Sequence, residues 1–214
     1  MSALAQAARQ RLTLESLVQE IARDTFTGAP QVVCDAYVKA IEHLGTPTPW
    51  GWIVGESENV DHHAPAARFE AQVSSANLAL ARVALSGVVA PDVPVRITHT
   101  DCDSILSAGI VSGLLPADGQ FGEAAIAADH TGVAHPIADL LQAVEDTRSL
   151  SDSFSALEAH LAGHTLPAFA DRALTERLTR RERAADAVRA GRFELIDGFA
   201  CFDFAESMEG EFFA

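Results

Sequence analysis

Three short clusters of carboxylate and imidazole residues carry most of the chemistry this sequence can offer. They are Asp61-His62-His63, then His99-Thr100-Asp101-Cys102-Asp103-Ser104, then Asp129-His130. Five of the eight histidines fall in the same window, between Asp61 and His135. Carboxylates and imidazoles with little thiolate suit Mn²⁺, Mg²⁺, Fe or Zn²⁺ in a mixed oxygen and nitrogen shell. Asp101 and Asp103 are alternate residues, and a tight turn can face both toward one site. A third carboxylate, from another strand end, can bridge two ions. A two-ion site polarises a phosphoryl oxygen and acidifies bound water toward neutral pH.

Each cluster follows a run that reads as a strand: Trp50 to Gly55, Val93 to Thr98 and Glu123 to Ala128. The middle one is the sharpest, because the polar turn His99 to Ser104 leads into an apolar helical stretch, Ile105 to Leu115. Strand, polar turn, helix is the layout that brings side chains to the carboxyl edge of a parallel sheet, where open α/β sheets build their sites. Helices are expected over Thr13 to Thr25, Asp35 to Leu44, Phe69 to Ser86, Ile137 to Val144, Phe154 to Leu161 and Phe169 to Ala190. Phe193 to Ile196 and Phe199 to Phe204 flank Asp197-Gly198, a two-residue hairpin signal. No internal repeat or low-complexity linker divides the chain. The fold expected is a single α/β domain over residues 1–214, with a mainly parallel sheet flanked by helices. Its motif-bearing core spans residues 50–146, and a helical and hairpin part spans residues 150–214.

These motifs resemble those of the DHH phosphoesterases. His99-Thr100-Asp101-Cys102-Asp103-Ser104 after a strand is similar to the first motif of that family. Asp129-His130-Thr131-Gly132 resembles the second motif, a lone strand-end aspartate. Asp61-His62-His63 is the tripeptide that names the family. The family includes single-strand exonucleases, oligoribonucleases that also degrade cyclic dinucleotides, inorganic pyrophosphatases and exopolyphosphatases. The resemblance implies a parallel sheet flanked by helices and a pair of Mn²⁺ ions. It implies that His62, Asp101, Asp103 and Asp129 are metal ligands, with His99 in the outer first-motif position. Asp61 joins the metal-ligand candidates. His63 would face the phosphate or support the site. Here the tripeptide precedes the other two motifs, so the resemblance implies a circularly permuted connection. Asp146 is the candidate for the fourth motif of the family.

Blander uses compete for the same residues. Asp101 and Asp103 can cap the helix that follows them, and a strand-to-helix turn lets capping and ligation coexist. Asp129 can close a turn with Gly132. Cys102, between two ligand candidates, reads as a small buried apolar residue. Trp50 and Trp52 suit core packing better than base stacking. His160 and His164, four apart on a helix face, lack a metalloprotease motif and read as structural or exposed. Seven arginines from Arg172 to Arg192 line the last long helix, as a solvated face with Glu176, Glu182 and Asp186 or as a phosphate clamp.

The chain has 214 residues and 22.7 kDa, enough to bury a sizeable core. Fifteen Lys and Arg against 30 Asp and Glu give a net charge of −15. That charge disfavours coating a long nucleic acid, yet an acidic chain handles small anions once metal ions supply the positive charge. No apolar run reaches the length of a membrane span, and Glu15, Glu20 and Asp24 follow Arg9 and Arg11 where a signal peptide needs an apolar segment. Three scattered cysteines form no disulfide framework, so a cytoplasmic setting is expected. Phenylalanines in the hairpin and in the tail Glu206 to Phe213 suit a homo-oligomer contact or a lid.

The function expected is metal-dependent hydrolysis of a phosphate ester or anhydride, in a nucleotide, a short oligonucleotide or a pyrophosphate-like substrate. Two Mn²⁺ ions are the expected cofactor, with Asp129 as their bridge and His63 stabilising developing charge. The alternatives are a metallohydrolase for a non-phosphate substrate and a non-catalytic module that binds metal or nucleotide.

Overall fold

Gln31–Cys34 is buried at all four residues, as a strand at the centre of a parallel sheet should be. Its alternation divides the core: Val32 and Cys34 join one apolar cluster, while Val33 joins a second with Phe26, Val38, Ile41 and Trp52. The sheet is therefore covered on both faces. The computed structural model describes residues 2–14, 20–21, 26–63, 72–147, 149–191, 194–196 and 199–201. Its strands in chain order are β1 Leu12–Leu14, β2 Glu20–Ile21, β3 Gln31–Cys34, β4 Tyr37–Val38, β5 Thr46–Thr48, β6 Gly51–Val54, β7 Ser57–Val60, β8 Val95–Ile97, β9 Glu194–Ile196 and β10 Phe199–Cys201. Six of them form one sheet in the order β1-β8-β3-β7-β6-β5. The first four run parallel, and β6 and β5 run antiparallel at one edge. β2 pairs in parallel with β4 as a separate ribbon.

The α/β class, the flanking helices and the mostly parallel sheet agree with the sequence reading, but several elements differ. Thr13 lies in β1 and not in a helix, and the rest of the helix expected up to Thr25 falls largely outside the described residues. The helix expected over Asp35 to Leu44 shrinks to Ile41–Leu44, because Asp35 and Ala40 both take left-handed backbone angles. A helix does cover Ser75–Ser86, started by a capping box between Ser74 and Asn77. Glu123 to Ala128 is not a strand. It runs from the helix Gly119–Ile126, which Asp118 caps by accepting from the Gln120 N–H at 3.0 Å, into the π-helical turn Ala127–Thr131. An alanine-rich segment with Ile126 as its one β-branched residue favours that outcome. Helices Pro136–Val144, Leu150–Leu161 and Ala168–Arg189 match expectation. β9 and β10 pair antiparallel with Phe199 opposite Ile196, while Asp197-Gly198 and the tail from residue 202 lie outside the described residues.

The helix Cys102–Val111 is buried at every residue and packs against Ser75–Ser86, Gly119–Ile126, β3 and β8. Close approach requires Gly109 there: a Cβ would lie 2.6 Å from Leu115 Cδ1. Gly109→Ala is expected to cost about 1–3 kcal/mol through overpacking, read as a lower midpoint in thermal unfolding. Gly51 is a second such position, since a Cβ would lie 1.8 Å from the Asn59 carbonyl oxygen. Trp52 is buried against Val33 and Ile41, and Trp50 packs on the main core, so both serve packing. Arg177 and Arg181 both pair with the buried Asp139, which ties the last long helix to Pro136–Val144. Among the described residues no helix is long and apolar enough to cross a membrane.

Candidate metal centre

β8, β3 and β7 are neighbours in the sheet, all parallel, and their carboxyl ends lead into His99–Asp103, Asp35 and Asp61–His63 respectively. Asp35 is the residue that sequence reasoning missed. It sits one position past β3 with φ at +48°, a conformation aspartate tolerates better than most side chains. Its N–H donates to the Val60 carbonyl at 2.9 Å, which extends the β3–β7 ladder by one step. From β7, the buried Asn59 amide donates to the Val33 and Ala36 carbonyls and fixes the turn. The carboxylate is 2% exposed. Ser75 Oγ donates to its Oδ1 at 2.9 Å and Ser104 Oγ to its Oδ2 at 2.7 Å.

Around Asp35 the imidazoles gather on two sides. His99 Nε2 lies 2.8 Å from Asp101 Oδ2 and 3.4 Å from Asp35 Oδ2. His62 Nε2 lies 3.7 Å from Asp35 Oδ1, while its Nδ1 donates to the Val73 carbonyl at 2.9 Å. That second bond selects the tautomer with Nε2 free to ligate, the arrangement metal-binding histidines adopt. Three groups of potential ligand atoms lie within 4.8 Å of one another: Asp35, His99 and Asp101; Asp35, His62 and His63; and His62, Asp103 and Asp129. Asp61 lies outside all three. It is fully buried and its Oδ1 accepts from His63, through Nδ1 at 2.6 Å and the backbone N–H at 3.2 Å.

Asp101 combines two roles. Its Oδ1 accepts the Ser104 N–H at 2.9 Å as the N-cap of Cys102–Val111, and its Oδ2 faces His99. Asp103 is 1% exposed, and its two oxygens accept the Ser75 and Ala76 N–H groups, each at 2.6 Å. It thereby anchors the start of the neighbouring helix. Cys102 is buried between them, as expected.

Asp129 reaches the site from a helix and not from a strand end. It lies on a π-helical turn, Ala127–Thr131, closed by the Gly132 N–H donating to the Ala127 carbonyl. Such turns inside helices recur at functional sites. Next to it, His130 Nε2 donates to the same Val73 carbonyl that holds His62, and the two rings meet edge-on at 5.7 Å. Asp146 lies on the 3₁₀ turn Glu145–Thr147, and its side chain is outside the described residues. His160 and His164 belong to none of the ligand groups.

The electrostatics are those of a crowded acidic pocket. Burial alone would raise the Asp35 carboxyl, but contact with His99, the His99 charge and the Ser104 hydroxyl hold it well below the usual carboxylate range. Burial, reinforced by Asp35 and Asp129, pushes Asp103 up against the pull of its two N–H donors. Asp129 touches solvent at the rim, yet desolvation by the protein behind it, with the charges of Asp35 and Asp101, pushes it up to about 6. The hydrogen bond to Asp101 and contact with Asp35 raise His99 to about 10. The bond to Asp61 raises His63. Buried negative charge gathered beside the raised imidazoles of His99 and His63 is an environment suited to a cation.

No family model, curated protein or solved structure matches the chain.

Proposed function

We propose that the chain is a metal-dependent hydrolase of a phosphate ester or anhydride, working with a pair of divalent cations that share Asp35. The observation that carries this reading is the placement of that one carboxylate. Its Oδ1 faces His62 and His63, and its Oδ2 faces His99 and Asp101. Asp35, His99 and Asp101 would hold one ion. Asp35 and His62 would hold the other, beside Asp103 and Asp129, which share a ligand group with His62. The bridge assigned to Asp129 on the sequence moves to Asp35, because Asp35 stands at a strand end between the two groups and Asp129 at a helical rim.

The donor set fits divalent ions of the Mn²⁺ type, with Mg²⁺, Fe and Zn²⁺ as alternatives, since it combines carboxylates with imidazoles and no thiolate. The chemistry a bound pair would supply there is polarisation of a phosphoryl oxygen and acidification of water toward neutral pH. His63 is 46% exposed, and Asp61 fixes its Nδ1, which leaves Nε2 to donate to a phosphoryl oxygen as charge develops. The DHH phosphoesterase resemblance supports the same chemistry. Two of its motifs, His99–Asp103 and Asp61–His63, follow β8 and β7, which flank β3 in the sheet, while the motif at Asp129 stands on a helix and not at a strand end. The net charge of −15 favours a small substrate, a nucleotide, a short oligonucleotide or a pyrophosphate-like anhydride, over a long nucleic acid.

The test is turnover of pyrophosphate, bis(p-nitrophenyl) phosphate and a dinucleotide by protein dialysed against Mn²⁺. Hydrolysis of at least one that stops with a chelator and returns with Mn²⁺ is the expected result. Absence of bound metal by mass spectrometry would sink the proposal. Bound metal with no turnover would leave a metal-binding module.

A further inference from the structure

The two hydroxyls on Asp35 come from the first turns of two different helices, and each serves a different oxygen. Ser75 opens the helix Ser75–Ser86 and donates to Oδ1; Ser104 lies in the first turn of Cys102–Val111 and donates to Oδ2. Both serines are fully buried. A carboxylate oxygen has two in-plane lone pairs. With a hydroxyl on one of them, the other is left for a cation, and its direction follows from the plane the two serines impose. Oδ1 is the oxygen nearer His62, and Oδ2 the one nearer His99.

Ser75 is bound further into one half of the site. Its Oγ accepts the His62 backbone N–H at 3.2 Å, and its own N–H donates to Asp103 Oδ2 at 2.6 Å. One residue thus touches Asp35, His62 and Asp103, all candidate ligands of the same ion. Ser104 makes the corresponding links on the other side. Its Oγ holds Asp35, and its N–H holds Asp101 Oδ1, so that Asp101 Oδ2 is presented to His99.

We propose that Ser75 and Ser104 are positioning residues with divided responsibility. Ser75 sets the half formed by His62, Asp103 and Asp129, and Ser104 sets the half formed by His99 and Asp101. This rests on the two-ion reading of the site. Serines that merely satisfied a buried carboxylate would act on both halves alike.

The test is a Zn²⁺ titration of the full chain, followed on the imidazole ¹⁵N resonances of His62 and His99. Ser75→Ala is expected to weaken the binding reported by His62 by about 10–100-fold, the usual range for a lost partner of a metal ligand, while His99 changes much less. Ser104→Ala is expected to show the reverse. Ser112→Ala, which removes a buried hydroxyl bonded to Ala108 at the far end of the same helix, should change neither. Ser75→Thr and Ser104→Thr retain the hydroxyl and should restore the affinities. Equal weakening at both histidines, or none at either, would overturn the division while leaving the two-ion reading intact. A wild type whose imidazoles ignore Zn²⁺ would overturn that reading and the division with it. Each serine tests its own half, so failure of one variant to fold leaves the other decisive.

Discussion

Asp35→Asn should strip both metal ions from the protein and abolish Mn²⁺-dependent turnover. The amide keeps the size of the carboxylate and removes its charge from the one residue common to the His62–His63 group and the His99–Asp101 group. A unit charge acting on another 4 Å away is worth about 4 kcal/mol at an effective dielectric of 20, and a ligated dication is closer and doubly charged. A loss of at least about a thousandfold in affinity at each ion follows from that magnitude. Folding should survive, because Ser75 and Ser104 have rotatable hydroxyls that can donate to the amide oxygen or accept from its nitrogen. The substitution relieves Asp103 and Asp129 of a neighbouring charge but takes from His99 one of its two carboxylate partners, so the metal-free variant should lose some stability and stay folded. Metal content by mass spectrometry after dialysis, beside thermal unfolding with a chelator present, separates the two effects. Asp129→Asn is the informative comparison. It removes a ligand at the rim and should release one ion only. If Asp129→Asn emptied the site and Asp35→Asn did not, the bridge would belong to Asp129.

Why Asp129 was legible in the sequence and Asp35 was not comes down to range. His99, Asp101 and Asp103 announce themselves locally, through a β-branched run, a polar turn and an apolar helix, and all three reach the pocket. Asp35 has no such local mark. Its partners Ser75 and Ser104 lie 40 and 69 residues away along the chain. Its strand has four residues, and the segment after it, from Asp35 to Leu44, has an apolar spacing that a helix would also satisfy. β7 was hidden for a related reason. Ser57, Glu58 and Asn59 are polar, because Ser57 bonds the Ala29 carbonyl, Glu58 pairs with Arg82 and Asn59 braces the Asp35 turn. A strand whose side chains serve hydrogen bonds carries no hydrophobic alternation to read. The segment from Glu123 to Ala128 failed in the opposite sense. A short apolar run fits a buried strand or a buried helix equally by periodicity, and here the Asp118 cap and the alanines settle it as helix. The strand expected before Asp129 is thus a helix, and that helical setting places Asp129 at the rim of the pocket.

Loading of the ion held by Asp35, His99 and Asp101 should release about one proton at neutral pH, and its apparent affinity should rise about tenfold per pH unit between pH 7 and 9. In the metal-free protein, Asp101 first and Asp35 second hold the His99 imidazole protonated up to about 10. A cation needs the Nε2 lone pair that this proton occupies, so ligation expels it. Asp129, at about 6, is ionised over the same window and adds a second proton to the balance only as the pH falls toward 6 and below, where the slope steepens. Titration calorimetry in buffers of different ionisation enthalpy counts the protons directly. An affinity flat from pH 7 to 9 would show that His99 is not a ligand. Stability should follow the same linkage with opposite signs in the two states. The folded value for His99 lies above the unfolded one of about 6.5, so without metal its contribution is complete below that pH and is lost as the pH rises toward 10. Chelator-treated protein should therefore unfold more easily at pH 9 than at pH 7. With Mn²⁺ in excess, the ligand contribution grows as the proton departs, since binding to the folded state alone stabilises it in proportion to the logarithm of cation concentration over Kd. Stability should then hold or rise across the same window. A shared dependence on one imidazole, reversed by the cation, is what separates a metal centre from a cluster of buried ion pairs, whose pH profile would be indifferent to Mn²⁺.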